Sequence, residues 1–238
     1  GSIAFSHYKK TATVLSSPDL ILNVFSNDET DEFLNKIKSN TEILDNLVEI
    51  KAGLQAYELG KGNPKQTRED VTNRIYDFDC KFDESTFPYL EGKDVQRYHQ
   101  GKNSSFLKYG DNLAAPRTFD IFSKPKIIIR EITGQHPHSI IACYSADLVL
   151  FNMSNIAINQ KGDSGIELKY ILALINSRLL SYYFQLNTAK AVRKLFPKII
   201  LKDLRQFPIK VISVDEQKTF IKLVDSIIEE KKHNPTAD

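Results

Sequence analysis

Cysteine is scarce in this 238-residue chain, methionine occurs once, and long apolar runs are missing. The two cysteines, Cys80 and Cys143, sit in no metal-ligand spacing, which argues against a zinc site or a disulfide framework and points to a reducing compartment. Both are expected to be small buried thiols, Cys143, in an apolar β run, as part of the core. No stretch approaches the roughly 18 apolar residues that span a bilayer, and no secretory signal opens the chain. A cytoplasmic protein without a membrane partner is therefore expected. Gly1-Ser2 stands where an initiator Met would be, and Met153 is the only methionine, so we expect a fragment of a longer polypeptide.

Catalytic motifs are missing as well. There is no Gly-x-x-x-x-Gly-Lys-Ser/Thr phosphate cradle. Neither the small-residue cofactor loop nor the Asn/Asp-Pro-Pro-aromatic loop of a base-flipping methyltransferase is present. Gly62-Asn-Pro-Lys65 has one proline and no following aromatic, and reads as a loop turn. Asp19, Glu49 and Lys51 superficially match a metal-dependent nuclease, but Pro18-Asp19 is explained as a helix start and Glu-x-Lys is common in a chain with 26% charged residues. No catalytic residue and no metal site are assigned. His136-Pro-His138 is the one close histidine pair; proline breaks the strand that would align the rings on a metal, and a turn at a hairpin tip is the favoured reading. A tip carrying Gln135, His136 and His138 is also placed to reach into a DNA groove.

What is present is unevenly spread charge within a net of +2. Residues 1–50 hold four Lys/Arg against eight Asp/Glu, residues 89–130 eight against four, and residues 185–205 six against a single Asp. Two basic segments in a near-neutral chain suggest a local anionic partner surface. Lys190, Arg193 and Lys194 follow a helix together with Asn187 and Thr188, the residue mix that grips phosphates. Lys93, Arg97, His99 and Lys102 form a second cluster interleaved with Tyr89 and Tyr98. Lys61, Lys65 and Arg68, with Arg74, lie in a polar stretch (58–74) rich in turn residues and expected to be an exposed loop. A charge run is usually no more than a solvated face. Arg130 and Glu131 are expected to point to opposite faces of a strand, their bland reading being a structural ion pair.

Periodicity predicts a short β run in 3–15, a short helix over 18–25, a helix from Asn27 to Asn46 and a strand from Leu47 that continues past Gly53. Pro88 is expected to end the mixed stretch 75–88. Residues 126–132, 139–144, 147–151 and 154–159 read as four successive strands, the first two as a hairpin. Glu167 to Phe184 reads as one amphipathic helix, with Tyr182-Tyr-Phe184 as core, and 207–212 as a β run whose Pro208 suits an edge. Ser213-Val-Asp-Glu216 is a capping box opening a last helix with the stripe Phe220, Leu223, Val224, Ile227 and Ile228. Four strands in succession flanked by helices make the fold α+β.

Several segments, in order, resemble the TaqI-like C-terminal specificity domain of adenine methyltransferases and fused restriction–methylation enzymes. They are Ile50-Lys-Ala-Gly-Leu-Gln55, Gly92-Lys-Asp-Val-Gln-Arg-Tyr98, Lys124-Pro-Lys-Ile-Ile-Ile-Arg130, Tyr170-Ile-Leu-Ala-Leu-Ile-Asn-Ser177, Leu204-Arg-Gln-Phe-Pro-Ile209 and Asp215-Glu-Gln217. Gly53-Leu-Gln55 continues as Ala-Tyr-Glu, where that family often has Thr-Gly. The resemblance implies a mixed β-sheet target-recognition domain with packed helices. Expected boundaries are a helical N-terminal or linker segment at 1–46, the recognition domain at 47–232 and a tail at 233–238. It also implies double-stranded DNA as partner, with a methyltransferase domain of the same polypeptide. This fragment would then be non-catalytic and hold no cofactor, while the full enzyme would use S-adenosylmethionine, with Mg2+ as a further candidate. Lys61, Lys65, Arg68, Lys93, Arg97, His99, Lys102, Gln135, His136, Lys190, Arg193 and Lys194 are the expected DNA contacts. The competing classes are a nuclease using Asp19, Glu49 and Lys51, and a protein-interaction scaffold docking through the acidic N-terminal helices.

Overall fold

The computed structural model describes residues 28–101, 105–162, 164–187 and 197–235. The expected elements in 3–15 and 18–25, and Asp19, lie outside the described residues. The chain divides into two compact units, Gly1–Thr41 and Glu42–Asp238. The first contains helix α1 (Asp28–Lys38), which stops well short of the expected Asn46. Ser39 and Thr41 end it by donating their hydroxyls to the carbonyls of Lys36 and Lys38, the local side-chain competition that makes these residues helix breakers.

The second unit opens with β1 (Glu42–Ile43), α2 (Leu44–Leu47) and β2 (Val48–Ala52). After the polar stretch come α3 (Arg68–Asn73), β3 (Asp77–Phe78), β4 (Thr86–Leu90), a 3-10 turn (Gly92–Asp94), β5 (Val95–Gln96), β6 (His99–Gln100) and β7 (Phe106–Lys108). Then follow α4 (Asp120–Ser123), β8 (Lys126–Arg130), β9 (Ala142–Ser145), β10 (Leu150–Phe151) and β11 (Asn155–Gln160). The unit closes with α5 (Leu168–Ile175), α6 (Arg178–Asn187), α7 (Leu201–Arg205), β12 (Pro208–Ile209) and α8 (Val214–His233).

Three of the four expected consecutive strands build one antiparallel sheet, ordered β2-β11-β8-β9. β10 leaves it and runs parallel to β4 in a second sheet, ordered β10-β4-β7-β3. The register of β8 against β11 pairs Ile128 with Ala157 and Ile127 with Ile158. Alternation then does the sorting. Ile128, Cys143 and Ala157 face a core shared with Leu90, Leu107, Phe122 and Phe151. Ile127, Ile129, Ile156 and Ile158 take the opposite face, where α5 covers β8, β9 and β11 with Ile171, Leu172 and Ile175. With both faces covered, β8 is apolar through its whole middle, as a strand buried on two sides requires.

The two sheets are stitched at Gly53. Gly53 donates its N–H to Asn155 O at 3.0 Å, and Leu54 donates to Phe151 O at 3.0 Å. A Cβ at position 53 would collide with the carbonyl oxygens of Phe151 and Asn152, so the chain crosses between β11 and β10 only without a side chain. Pro88, expected to end its segment, instead lies inside β4, just before the point where β10 joins at Tyr89. Its missing N–H therefore costs no bond to β10.

Lys126 is fully buried at 0% exposure. Its Nζ donates to Phe122 O (2.8 Å), Lys124 O (3.1 Å) and Asp147 O (2.7 Å), using all three ammonium hydrogens to tie α4 to the turn between β9 and β10. Burial pulls its pKa down to about 8, and burial pushes the adjacent Cys143 thiol up to about 12. Cys143 is thus a core residue, as expected, whereas Cys80, also expected to be buried, is exposed.

The expected helix from Glu167 to Phe184 is two helices that break at Asn176 and Ser177. The buried Asn176 side chain accepts from Ala142 N at 3.1 Å and donates to Ala142 O at 2.9 Å, mimicking a strand on the outer edge of β9. Ser177 Oγ then accepts from Leu180 N at 3.1 Å and opens α6. Tyr183 and Phe184 are core, while Tyr182 is exposed. The capping box is formed as expected, with Ser213 Oγ accepting from Glu216 N and Glu216 Oε2 accepting from Ser213 N. The α8 stripe is only partly covered: Val224 is buried against α5, whereas Phe220, Leu223 and Ile227 are exposed. The expected β run 207–212 shrinks to β12, which pairs with β1 through Ile43–Pro208 and Glu42–Ile209.

Candidate nucleic-acid interface

The polar stretch 58–74 is not an irregular loop. Buried Gln66 accepts from Glu58 N at 2.9 Å and donates to Ala56 O and Asn112 O, each at 2.8 Å. Asn63 N donates to Asp111 O at 2.7 Å. Gly62 has φ +81°, and a Cβ there would collide with Asn112 O. Thr67 and Asp70 form a capping box that starts α3, and Thr67 N with its hydroxyl holds the Asp70 carboxyl below its usual pKa. Lys61, Lys65 and Arg68 project from this fixed loop, all exposed, and none pairs with a carboxylate among the described residues. Arg74, noted in the sequence only as a loop residue, ends α3 in the left-handed region (φ 49°) and pairs with Asp77 at 2.6 Å and Glu91 at 3.0 Å.

Glu91 joins that helix to the next cluster, since Lys93 Nζ lies 3.5 Å from its other oxygen while the Lys93 side chain stays 78% exposed. An exposed pair of this kind is worth little and leaves the lysine available. Arg97 is half-buried, donates to Asn176 O at 3.4 Å and stacks over the Tyr98 ring at 5.3 Å. His99 is half-buried; burial, and then the nearby Lys231 ammonium, lower its pKa, so near neutral pH it is a neutral donor rather than a cation. Lys102, Lys190, Arg193 and Lys194 lie outside the described residues.

The connection between β8 and β9 is an ordered hairpin end. Gly134 N donates to Ser139 O at 2.7 Å, and His138 N donates to Gln135 O at 3.1 Å. Gln135 and His136 stand exposed at its tip. The first arm is held by residues 197–199: Thr133 N donates to Pro197 O at 3.0 Å and Ile199 N to Glu131 O at 2.9 Å. Arg130 and Glu131 do not pair with each other. Arg130 Nε donates to Ile132 O at 2.6 Å, and Glu131 pairs with Lys198 at 3.1 Å. Beside the second arm stands Arg178, whose Nε lies 3.4 Å from His138 Nε2. Sequence reasoning missed Arg178 because it was placed inside one long helix. Asn176-Ser177 ahead of it, a stop followed by an N-cap, was the available signal.

The nuclease candidates are not assembled around a metal. Glu49 and Lys51 share one face of β2, half-exposed, and pair with each other at 2.6 Å. No group of three or more His, Cys, Asp or Glu among the described residues is placed to hold a metal ion. No helix among the described residues is long and apolar enough to cross a membrane.

Residues 87–209, which carry the 3-10 turn, the hairpin and its supports, match the TaqI-like C-terminal specificity domain. The chain belongs to that family. It is 30% identical over 135 residues to a protein named as a type II restriction enzyme and methyltransferase in Methanocaldococcus jannaschii, covering 56% of this chain and 11% of that protein. Among solved structures it is similar to the HsdS subunit of Thermoanaerobacter tengcongensis, with a TM-score of 0.45 and 13% identity over 87% of this chain and 46% of that one. The S subunit of a type I restriction–modification system from M. genitalium gives a TM-score of 0.44 and 16% identity over 82% of this chain and 41% of that one. This specificity domain is the DNA target-recognition module of restriction–modification systems. Its quoted signatures prove structural here: Asp94 accepts from Glu91 N, Asn176 pairs with Ala142, and Gln217 donates to Gly165 O and Ile212 O.

Proposed function

We propose that this chain reads double-stranded DNA and, within a longer polypeptide, positions a separate adenine-N6 methyltransferase domain without doing bond chemistry itself. The observation that carries this is the hairpin tip. Gln135 and His136 are exposed on a turn closed by two backbone hydrogen bonds. Arg178 stands beside His138 on the hairpin's second arm, with no carboxylate pairing it among the described residues. An amide and an imidazole on a rigid projection suit base edges in the major groove. Lys61, Lys65, Arg68, Lys93, Arg97 and Arg178 would hold phosphates and set the register, with His99 as a neutral donor and Lys102, Lys190, Arg193 and Lys194 as further phosphate contacts. S-adenosylmethionine, and any Mg2+, would belong to the neighbouring domains. A cytoplasmic enzyme acting on DNA fits the same reading.

The test is fluorescence anisotropy with a labelled duplex across a salt series. Binding is expected to weaken linearly on a log–log plot, by about 0.9 per phosphate neutralised. A chain that retains no duplex even at low salt, or that cleaves it unaided, refutes the proposal.

A further inference from the structure

Beyond the two backbone bonds that close it, the hairpin is braced by one helix. Arg178, Ser181 and Gln185 recur at the spacing that puts side chains on one face of α6. All three bond to the hairpin's second arm. Arg178 Nε meets His138 Nε2 at 3.4 Å, Ser181 Oγ accepts from Ile140 N at 3.4 Å, and Gln185 Nε2 donates to Ser139 Oγ at 2.6 Å. Ser181 and Ser139 are 0% and 2% exposed, so two of these bonds are shielded from water. The opposite face of α6 carries Leu180, Tyr183 and Phe184, all buried, and the rings of Tyr183 and Phe184 pack on Phe207 at 6.0 and 6.3 Å. One side of the helix is thus set in the core while the other grips the projecting hairpin.

We infer that α6 is the splint of the recognition hairpin, and that Ser181 and Gln185 are positioning residues for sequence readout although neither touches DNA. The inference rests on Gln135 and His136 reading bases. A side chain that contacts a base edge discriminates only if its backbone is held within a fraction of an ångström. The splint therefore contributes to the difference between right and wrong sequences, not to the sequence-independent grip on phosphates.

Two measurements on the full chain test this. In the first, hydrogen exchange at the Gly134 and His138 amides is compared for wild type, Gln185→Ala, Ser139→Ala and the double variant. Each single variant is expected to exchange about fivefold faster at these amides, as the loss of one hydrogen bond implies. The double variant should be no faster than either single, because the two groups share one bond. The global unfolding midpoint should move by no more than about 4 °C. Unaltered exchange overturns the splint. In the second, duplexes with a randomised core are enriched by binding and sequenced. Gln185→Ala is expected to lose base preference at positions the wild type selects, while its affinity for unselected duplex and its salt dependence stay as in wild type. Intact preference with faster exchange overturns the specificity role. A wild-type chain that enriches no sequence refutes base reading itself, and the proposal with it, while the exchange result still reports on the splint separately.

Discussion

Replacing Lys126 with Met keeps the volume of the side chain and deletes its charge. The ammonium lies fully inside the protein and donates to three carbonyls. Two opposing effects follow. Deletion leaves Lys124 O without its donor, and Phe122 O and Asp147 O with only the longer bonds from Val149 N (3.3 Å) and Ser145 Oγ (3.5 Å), at about 1–3 kcal/mol for each carbonyl left unsatisfied, and it also removes the cost of burying a cation. Near neutral pH these leave a net loss of about 2 kcal/mol. The pH dependence is sharper. Burial lowers the Lys126 pKa from 10.5 to about 8, so between those values the unfolded chain binds the proton that the folded chain has released. Wild-type stability therefore gains as pH rises through that window, by about 3 kcal/mol over its width. Cys143 acts with the opposite sign, because its folded pKa is raised from 9.0 to about 12 and the unfolded thiol ionises first. It is present in both proteins and cancels in the difference. Urea unfolding of wild type and Lys126→Met at a series of pH values should show the gap widening from about 2 to about 5 kcal/mol. A gap that stays constant or narrows as pH rises would refute the account of a buried, carbonyl-clasped ammonium.

Other substitutions probe the remaining links. Gly53→Ala would drive a Cβ into the carbonyls of Phe151 and Asn152, and thermal denaturation should show a loss of at least about 3 kcal/mol. Asn176→Ala removes both bonds to Ala142 and strands its N–H on the edge of β9, for an expected loss of about 2–3 kcal/mol by chemical unfolding. Arg178→Ala and Lys93→Ala should each weaken duplex binding at all sequences and reduce the salt slope by about 1, read by anisotropy. Glu49→Ala breaks only the half-exposed pair with Lys51 and should shift stability by less than about 1 kcal/mol, leaving duplex binding unchanged.

The elements that were legible in the chain are those whose signal is local. The capping box at Ser213 and Glu216, the apolar run of β8 and the hairpin around Gly134 and Pro137 each need only their neighbours in sequence. The basic clusters were legible as composition, though not how each group is held: Arg97 stacks on Tyr98, and half-buried His99 has its pKa lowered by burial and by Lys231. The break at Asn176 could not be read, because the apolar spacing runs straight through it. It exists because the Ala142 N–H on the outer edge of β9 lies within reach of the amide. The fixed loop at 58–67 was hidden for the same reason, since the group that orders it, Asn112 O, lies 46 residues away from Gln66.

The sequence alone determined periodicity, capping and charge segregation, and through them an α+β chain with cation-rich segments, because these follow from bonds and spacings within a few residues. The tertiary structure decided that β10 would desert its neighbours for β4, that Gln66, Asn176 and Gln217 would satisfy distant backbone groups, and that Arg178 would stand beside the hairpin tip. A buried polar group must find a partner, and which partner is in reach is a property of packing that no local pattern records.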